Sequence, residues 1–580
     1  MVEIAWREWS EEAFRKAKEL KKPVLLDISA VWCHWCHVMD ETSYSDEEVS
    51  RLVNSSFVAI RVDTDQRPDI NRRYNVGGWP TTVFLTPDGE VITGATYVPP
   101  NQMRILLRQV SDQYSRSASK GHPRRASKSK PEHEFAPLRK FDPESSELIV
   151  SDVVNSILRT FDNVYGGFGD QPKFPNFDAI ALALEHYNIN KDRGLYILVI
   201  KTLNNMASGG MYDKERGGFF RYATRRDWSA PHYEKILEDN AKLLTIYLNA
   251  YRVFGISTYK DVAEQIISYV ESTLHNELGG FYGSQDADEE YYQCSPSERE
   301  RRTPPKVDTN IYVGPNALMV SSYLLASVTL NRPDLKAFAI KTVDFLLKKC
   351  RSENGMMYHA CGGDRPKPPH LLADQVLMAK SLLETYMHSS EGTCLEIAEG
   401  LTKLVLAHFY DVNSGGFYDT LLGPDAIGAL RVREKPIDEN GEAAAFLLQL
   451  YDLTQYEEYL EKAKETLGAF EETYPGYGIM ASSYAHAAYR VATPQTQMTI
   501  IGQKDNPSTI ALRDEGLRLY MPRKSVAVFD PSVDKDKITA HGYQVSEVPT
   551  AHVCIGQTCL EPMTNPEELA SKFSRTNVVN

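Results

Sequence analysis

The densest chemistry in the sequence is Cys33-His34-Trp35-Cys36-His37. It follows an apolar run, Pro23-Val24-Leu25-Leu26-Asp27-Ile28-Ser29, that reads as a buried strand, and it opens a segment with helical spacing through Val49 and Leu52. Strand, Cys-x-x-Cys and helix in that order is a thioredoxin-type arrangement. A thiol at a helix start meets unsatisfied N–H groups and the positive end of the helix dipole, and both favour thiolate. The pattern predicts Cys33 as the exposed attacking sulfur, Cys36 as the buried resolving sulfur and His37 as a residue that tunes the thiolate. Pro80, in Gly77-Gly78-Trp79-Pro80, is expected beside the dithiol with a cis Trp79–Pro80 bond. The same letters also spell a c-type haem attachment string and a zinc-type ligand set, Cys33, His34, Cys36 and His37. Two inert thiols are the plainest reading. Haem attachment usually follows export, and ligands this close together at a helix start rarely converge on one tetrahedron. No metal and no other cofactor is assigned.

A second group of chemical residues lies at helix boundaries further along. Lys173 stands in Pro172-Lys173-Phe174-Pro175; His232, Glu234 and Asp239 stand in and just after Pro231-His232-Tyr233-Glu234-Lys235; Asp286 and Asp288 flank Ala287; Arg431, Glu434 and Asp438 precede a helix. Paired carboxylates can act as general acid and base on a glycosidic bond. A histidine pair such as His370 and His486 can instead move a proton beside a sugar carbonyl. Taken singly, acids at helix starts are capping and dipole residues. Taken as a set, they predict a polar funnel for a carbohydrate-like ligand.

These residues need elements to hold them. Residues 1–116 read as a thioredoxin-like α/β domain: Ser10 caps a helix, strands follow at 23–29 and 57–63, an edge strand follows the proline of the 77–85 stretch, Val91 to Thr93 return after a hairpin turn, and a helix near 101–114 closes the unit. Residues 117–146 are polar, basic and apolar-poor, as in a linker. From 147 to 492 a Gly-Gly-aromatic or related turn recurs at Gly166, Gly217, Gly279, Gly355, Gly415 and Gly476, with a helix pair in most intervals. Twelve helices and six turns predict an all-α ring of six hairpins, an (α/α)6 toroid, in preference to an open solenoid. Residues 493–580 alternate strand and helix as a small α/β appendage. Cys554 and Cys559 there are readable as a disulfide, a metal pair or two reduced thiols.

Composition bounds the rest. The 580-residue chain carries 64 basic and 78 acidic residues, a net charge of −14 that argues against nucleic-acid binding. No apolar run reaches membrane-spanning length. The first residues lack a basic stretch followed by an apolar one, and eight cysteines spread over this length are not a disulfide framework. A cytoplasmic protein with mainly reduced thiols is expected. Its partners would be a disulfide-containing protein or small thiol and a carbohydrate ligand.

Together the strings resemble the family of spermatogenesis-associated protein 20 and its bacterial and archaeal relatives. The resemblance rests on Cys33 to Met39, Arg67-Pro68-Asp69-Ile70, Gly77-Gly78-Trp79-Pro80, Phe84 to Gly89, Gly166-Gly167-Phe168, Pro172 to Pro175, His232 to Lys235 with Asp239-Asn240, Asp286 to Asp288, and Cys554 with Cys559. It implies a thioredoxin-like domain joined to a six-hairpin toroid similar to N-acylglucosamine 2-epimerases and related sugar enzymes. It implies no single reaction. The stretch between Asp69 and Gly77 is shorter than is usual in the family, which trims a loop near the dithiol.

Overall fold

A computed structural model describes residues 3–119, 137–361 and 369–574. The expected linker lies mostly outside the described residues.

The N-terminal unit runs α1 (Glu11–Leu20), β1 (Val24–Ser29), α2 (His34–Met39), α3 (Glu47–Ser56), β2 (Val58–Asp63), α4 (Pro68–Tyr74), β3 (Thr81–Leu85), β4 (Val91–Ala95) and α5 (Pro100–Ser119). Ser10 accepts a hydrogen bond from Ala13 N and starts α1 as its side chain predicts. The sheet order is β2-β1-β3-β4, with β1 parallel to β2 and the other pairs antiparallel. The strand β1 is buried along nearly its whole length because both of its faces are covered, and its one charge, Asp27, is paired with Arg61 at 2.7 Å. The Trp79–Pro80 bond is cis, and so is Gln171–Pro172.

Twelve long helices follow, interrupted by short strands. They are α6 (Ser146–Thr160), α7 (Phe177–Asn190), α8 (Arg193–Ser208), α9 (Leu237–Phe254) and α10 (Ser257–Tyr269). After the short helices α11 (Glu289–Tyr292) and α12 (Pro296–Arg299) come α13 (Val313–Thr329), α14 (Pro333–Lys349), α15 (Leu372–Ser389), α16 (Gly392–His408), α17 (Ile437–Thr454), α18 (Glu457–Gly468) and α19 (Ser482–Ala492). Helices α7, α9, α13, α15, α17 and α19 each pack on the next, and α19 packs back on α7. The ring is closed. The other six long helices form an outer layer.

The glycine turns have a common mechanical plan. Asn240, Asn316, Gln375 and Asn440 sit near the starts of inner helices. Each exchanges two hydrogen bonds with the backbone of the residue that follows the turn, Phe219, Phe281, Met357 and Phe417 respectively. Gly217 and Gly218 lie at φ +73° and +75°, and an added Cβ would meet Gln265 O at 2.3 Å and Tyr269 Cδ1 at 2.6 Å. Only glycine satisfies both demands.

The C-terminal unit contains β12 (Thr496–Ile501), α20 (Pro507–Arg518), β13 (Lys524–Phe529), α21 (Lys535–Ala540), β14 (Thr550–Ile555), β15 (Thr558–Cys559) and α22 (Pro566–Ser574); the ring's short strands β5 to β11 lie between Tyr222 and Cys361. Its sheet order, β13-β12-β14-β15, has a parallel first pair and antiparallel others. This repeats the order and directions of the N-terminal sheet. The sequence predicts only an α/β appendage; strand pairing reveals a second thioredoxin-like topology. It docks through Met498, Leu512 and Val526 onto Val328 and Met387 at the C-terminal ends of α13 and α15.

Candidate functional site

A cavity of about 820 Å³ follows the ring axis. All six inner helices line it, with residues recurring three or four apart, as in Glu238, Lys242, Thr245, Asn249 and Arg252 of α9. At the N-terminal ends of these helices the thioredoxin-like unit closes it with Trp32, Asp65, Asp69, Arg72 and Trp79. At the other end the C-terminal unit closes it with Tyr520 to Lys524. Acids gather at the first end and cations at the second, as the helix dipoles favour.

The middle of the cavity is built from opposed charges. Lys242 donates to Glu238 at 2.7 Å and Lys380 to Glu442 at 3.1 Å. Lys242 holds Glu238 below the usual carboxylate range, and Lys380 lowers Glu442 to about 2. Asp239, beside Glu238 in the chain, behaves oppositely. Burial raises it to about 7, and the charge on Glu238 adds to the rise. Neighbouring carboxylates whose environments push them apart are suited to separate acid and base roles. His486 Nε2 lies 2.8 Å from Glu185 Oε1 in the cavity wall, a close contact of imidazole and carboxylate without hydrogen-bond alignment.

The dithiol sits just outside this cavity. Cys33 is the N-cap of α2, and its Sγ accepts from Cys36 N at 3.2 Å. The two are joined as a disulfide. Cys33 is 6% exposed and Cys36 3% exposed, so neither is the open attacking sulfur that the sequence predicts. The reason is tertiary: Ile236 of the toroid packs against them together with Trp32 and Trp79. The Arg221 guanidinium lies 4.5 Å over the Trp32 ring and 4.7 Å over the Trp79 ring. His37 Nδ1 lies 3.6 Å from Asp286 across the interface. Trp32 Nε1 donates to Asp65 at 2.6 Å, and His359, paired with Asp374 at 2.8 Å, also contacts the Asp65 carbonyl at 2.6 Å. Burial opposes charge on His359, but Asp374 raises it to about 9, so it spans the interface as an imidazolium.

Arg221 is therefore the toroid's bolt over the dithiol. Arg221→Ala removes two cation–π contacts, each worth about 0.5–2 kcal/mol. It is expected to speed alkylation of Cys33 in the reduced protein by at least about fivefold, the factor for the lower end of that sum. An unchanged alkylation time course would mean that Ile236 alone shields the sulfurs.

The remaining sequence candidates separate by place. Asp239 and Asp438 line the cavity, as does His486. His232 and Glu234 belong to the interface: Glu234 lies 3.6 Å from Arg221 and 3.8 Å from His232, and burial raises its carboxyl. Asp288 caps α11 by accepting from Tyr291 N at 2.8 Å. Arg431 and Glu434 are exposed and do not line the cavity. His370 Nδ1 donates to the Met357 carbonyl at 2.9 Å, and the ring stacks on Tyr358. Lys173 is fully buried outside the cavity, donating to Asp162 at 2.6 Å and to the Gly166 carbonyl. It belongs to the glycine turn, whose buried carbonyl needs a donor. Asp178, Glu185, Glu238, Lys242, Lys380 and Glu442 escape the sequence reading. Their signal is a charged stripe at i, i+4 spacing inside otherwise apolar helices.

Fold and site define a class: a thioredoxin-like unit with a Cys-x-x-Cys pair, set on a six-hairpin toroid. Residues 2–128 match a family described as Thioredox_DsbH, protein of unknown function, DUF255. The chain is 26% identical over 701 residues to spermatogenesis-associated protein 20 of Homo sapiens, covering 98% of this chain and 89% of that protein. The family resemblance carried by the motifs thus extends over nearly the whole chain. A 91-residue stretch is 35% identical to thioredoxin H-type of Fagopyrum esculentum, covering 15% of this chain and 74% of that protein. Among solved structures, D-mannose isomerase covers 60% of this chain and 97% of its own at TM-score 0.50 and 14% identity, a likeness of fold. Among the described residues, no helix is long and apolar enough to cross a membrane.

Proposed function

We propose that this chain couples two centres. The Cys33–Cys36 pair performs thiol–disulfide exchange, with Pro80 at its groove, and the ring cavity binds a small polyhydroxylated ligand of carbohydrate type and moves protons on it. The observation that carries this reading is the shared wall: Trp32 and Trp79 flank the cysteines and also line the cavity. A cavity made of paired charges suits a ligand rich in hydroxyls, which can replace water's hydrogen bonds one for one. Asp239 supplies a protonated carboxyl, Glu238 an ionised one, and His486 a group able to take and return a proton. The similarity in fold to D-mannose isomerase makes an aldose the first compound to try. In the exchange step, once the Ile236 cover is displaced, Cys33 thiolate attacks a disulfide sulfur and expels one external thiolate; Cys36 thiolate then attacks Cys33 Sγ of the mixed disulfide, expels the second external thiolate and closes the Cys33–Cys36 bond.

The test is a panel of mono- and disaccharides followed for binding and for conversion, run on oxidised and reduced protein. Conversion is expected to fall as pH rises through about 7, because Asp239 loses its proton there. Asp239→Asn is expected to abolish that limb along with most of the rate. The same raised carboxyl acts on stability: its stabilising contribution is complete below the unfolded carboxyl value and is lost as pH rises towards 7. Binding of no sugar in either redox state would sink the cavity half of the reading, and a Cys33–Cys36 pair inert to every thiol would sink the other.

A further inference from the structure

A second cysteine pair is far more open than the first. Cys559 is exposed and Cys554 half-buried, whereas Cys33 and Cys36 are both buried and, in the Cys350–Cys361 pair, Cys350 is fully buried and Cys361 half-buried. Cys554 and Cys559 face each other across the β14–β15 ladder and form a disulfide. The Ile555–Thr558 pair closes the two-residue turn, and Leu560 N donates to Val553 O at 2.8 Å. The cysteines between these positions take the non-hydrogen-bonded site of the ladder, where facing side chains come closest. Their α-carbons are 3.9 Å apart. The pair can thus close and open without displacing a backbone hydrogen bond.

Its setting is equally permissive. The strand β15 is two residues long and ends the sheet order β13-β12-β14-β15, so among the described residues no strand covers its outer edge. The unit repeats the N-terminal sheet order, yet its first helix begins Asn506-Pro507, with no cysteine where the N-terminal unit carries Cys33. The cysteines stand on the hairpin instead.

We propose that Cys554–Cys559 is a second thiol–disulfide exchange site, open to low-molecular-weight thiols of the glutathione type. An external thiolate attacks the exposed Cys559 Sγ; the Cys554–Cys559 bond breaks, and its electron pair leaves on Cys554 Sγ, which takes up a proton. A second external thiolate attacks the external sulfur of the mixed disulfide. Cys559 leaves as thiolate and is protonated, and the external disulfide departs. Two thiols are oxidised and one disulfide is reduced; oxidised external disulfide reverses both steps. This site stands apart from the two-centre reading and does not depend on it.

The experiment is a time course of the full chain in reduced and oxidised glutathione mixtures, quenched by alkylation, with each cysteine pair followed by peptide mass spectrometry. The Cys554–Cys559 peptides are expected to interconvert at least about tenfold faster than Cys350–Cys361, with a glutathione adduct first on Cys559. In Cys559→Ala the fast phase disappears and the Cys350–Cys361 phase stays. A pair that remains entirely bonded or entirely alkylated at every ratio, or exchanges no faster than Cys350–Cys361, overturns the proposal. So does a fast phase that survives in Cys559→Ala.

Discussion

Asp213→Ala is expected to destabilise the ring by about 3–5 kcal/mol, the scale for breaking a buried ion pair by removing one partner. Asp213 accepts from Lys235 at 2.7 Å and from Arg299 at 2.9 Å, and all three side chains are buried. These partners and the buried setting oppose one another: burial works against the Asp213 charge, but Lys235 and Arg299 hold its carboxyl below the usual range. Removing the carboxylate leaves two cations without an anion in the interior. Lys235 also donates to the Gly217 carbonyl at 2.8 Å, so the loss spreads to the glycine turn and to the start of α9. The same plan recurs at Asp162 with Lys173 and at Asp411 with Lys435, each lysine reaching a glycine carbonyl of its own turn. Urea unfolding measures the effect. Asp213→Ala combined with Lys235→Met should recover part of the loss, because an apolar side chain in place of an orphaned cation costs less. A loss below about 1 kcal/mol, the scale of an exposed pair, would mean that water reaches this turn.

His486→Gln is expected to cut conversion of a sugar by the ring cavity by about 10²–10⁴-fold, the usual range for a general acid–base group. Glutamine keeps a polar side chain near Glu185 but cannot carry a proton back and forth. The fall should appear in kcat, since the proton moves only in the transition state. Glu185→Gln should act through its contact with the imidazole and cost less, and restoring the carboxylate as Glu185→Asp should recover part of the rate. A kcat unchanged in His486→Gln, with KM raised, would make His486 a binding residue and move proton transfer to Asp239 and Glu238.

These effects differ in how far they can be read along the chain. The Cys-x-x-Cys pair, its helix start and the cis proline are local features, and a short window of sequence contains them. Five of the six expected turns are equally legible, since Gly166, Gly217, Gly279, Gly355 and Gly415 all lie at positive φ, and at Gly218 the close approach of Tyr269 adds a second demand for glycine. The sixth, at Gly476, is instead a 3-10 segment, Tyr474–Ala481, in which Gly476 has ordinary φ and open space around it. The cavity wall is less so. Glu238, Lys242 and Glu442 look like ordinary surface charges on their helices until the ring closes and turns that face inward. Lys173 shows the reverse error: a charge that suggests a funnel is a brace for a buried turn.

By itself, then, the sequence determines the order of units, the twelve ring helices, the dithiol at the start of α2 and the acid-rich helix boundaries, because each rests on contacts between residues close in the chain. The sequence also favours a closed ring, but only the tertiary structure decides that Arg221 and Ile236 shut the dithiol beneath the toroid and that the last unit pairs its strands like the first. Those outcomes depend on side chains up to hundreds of residues apart, where burial and charge are shared between units and no spacing in the sequence records the partner.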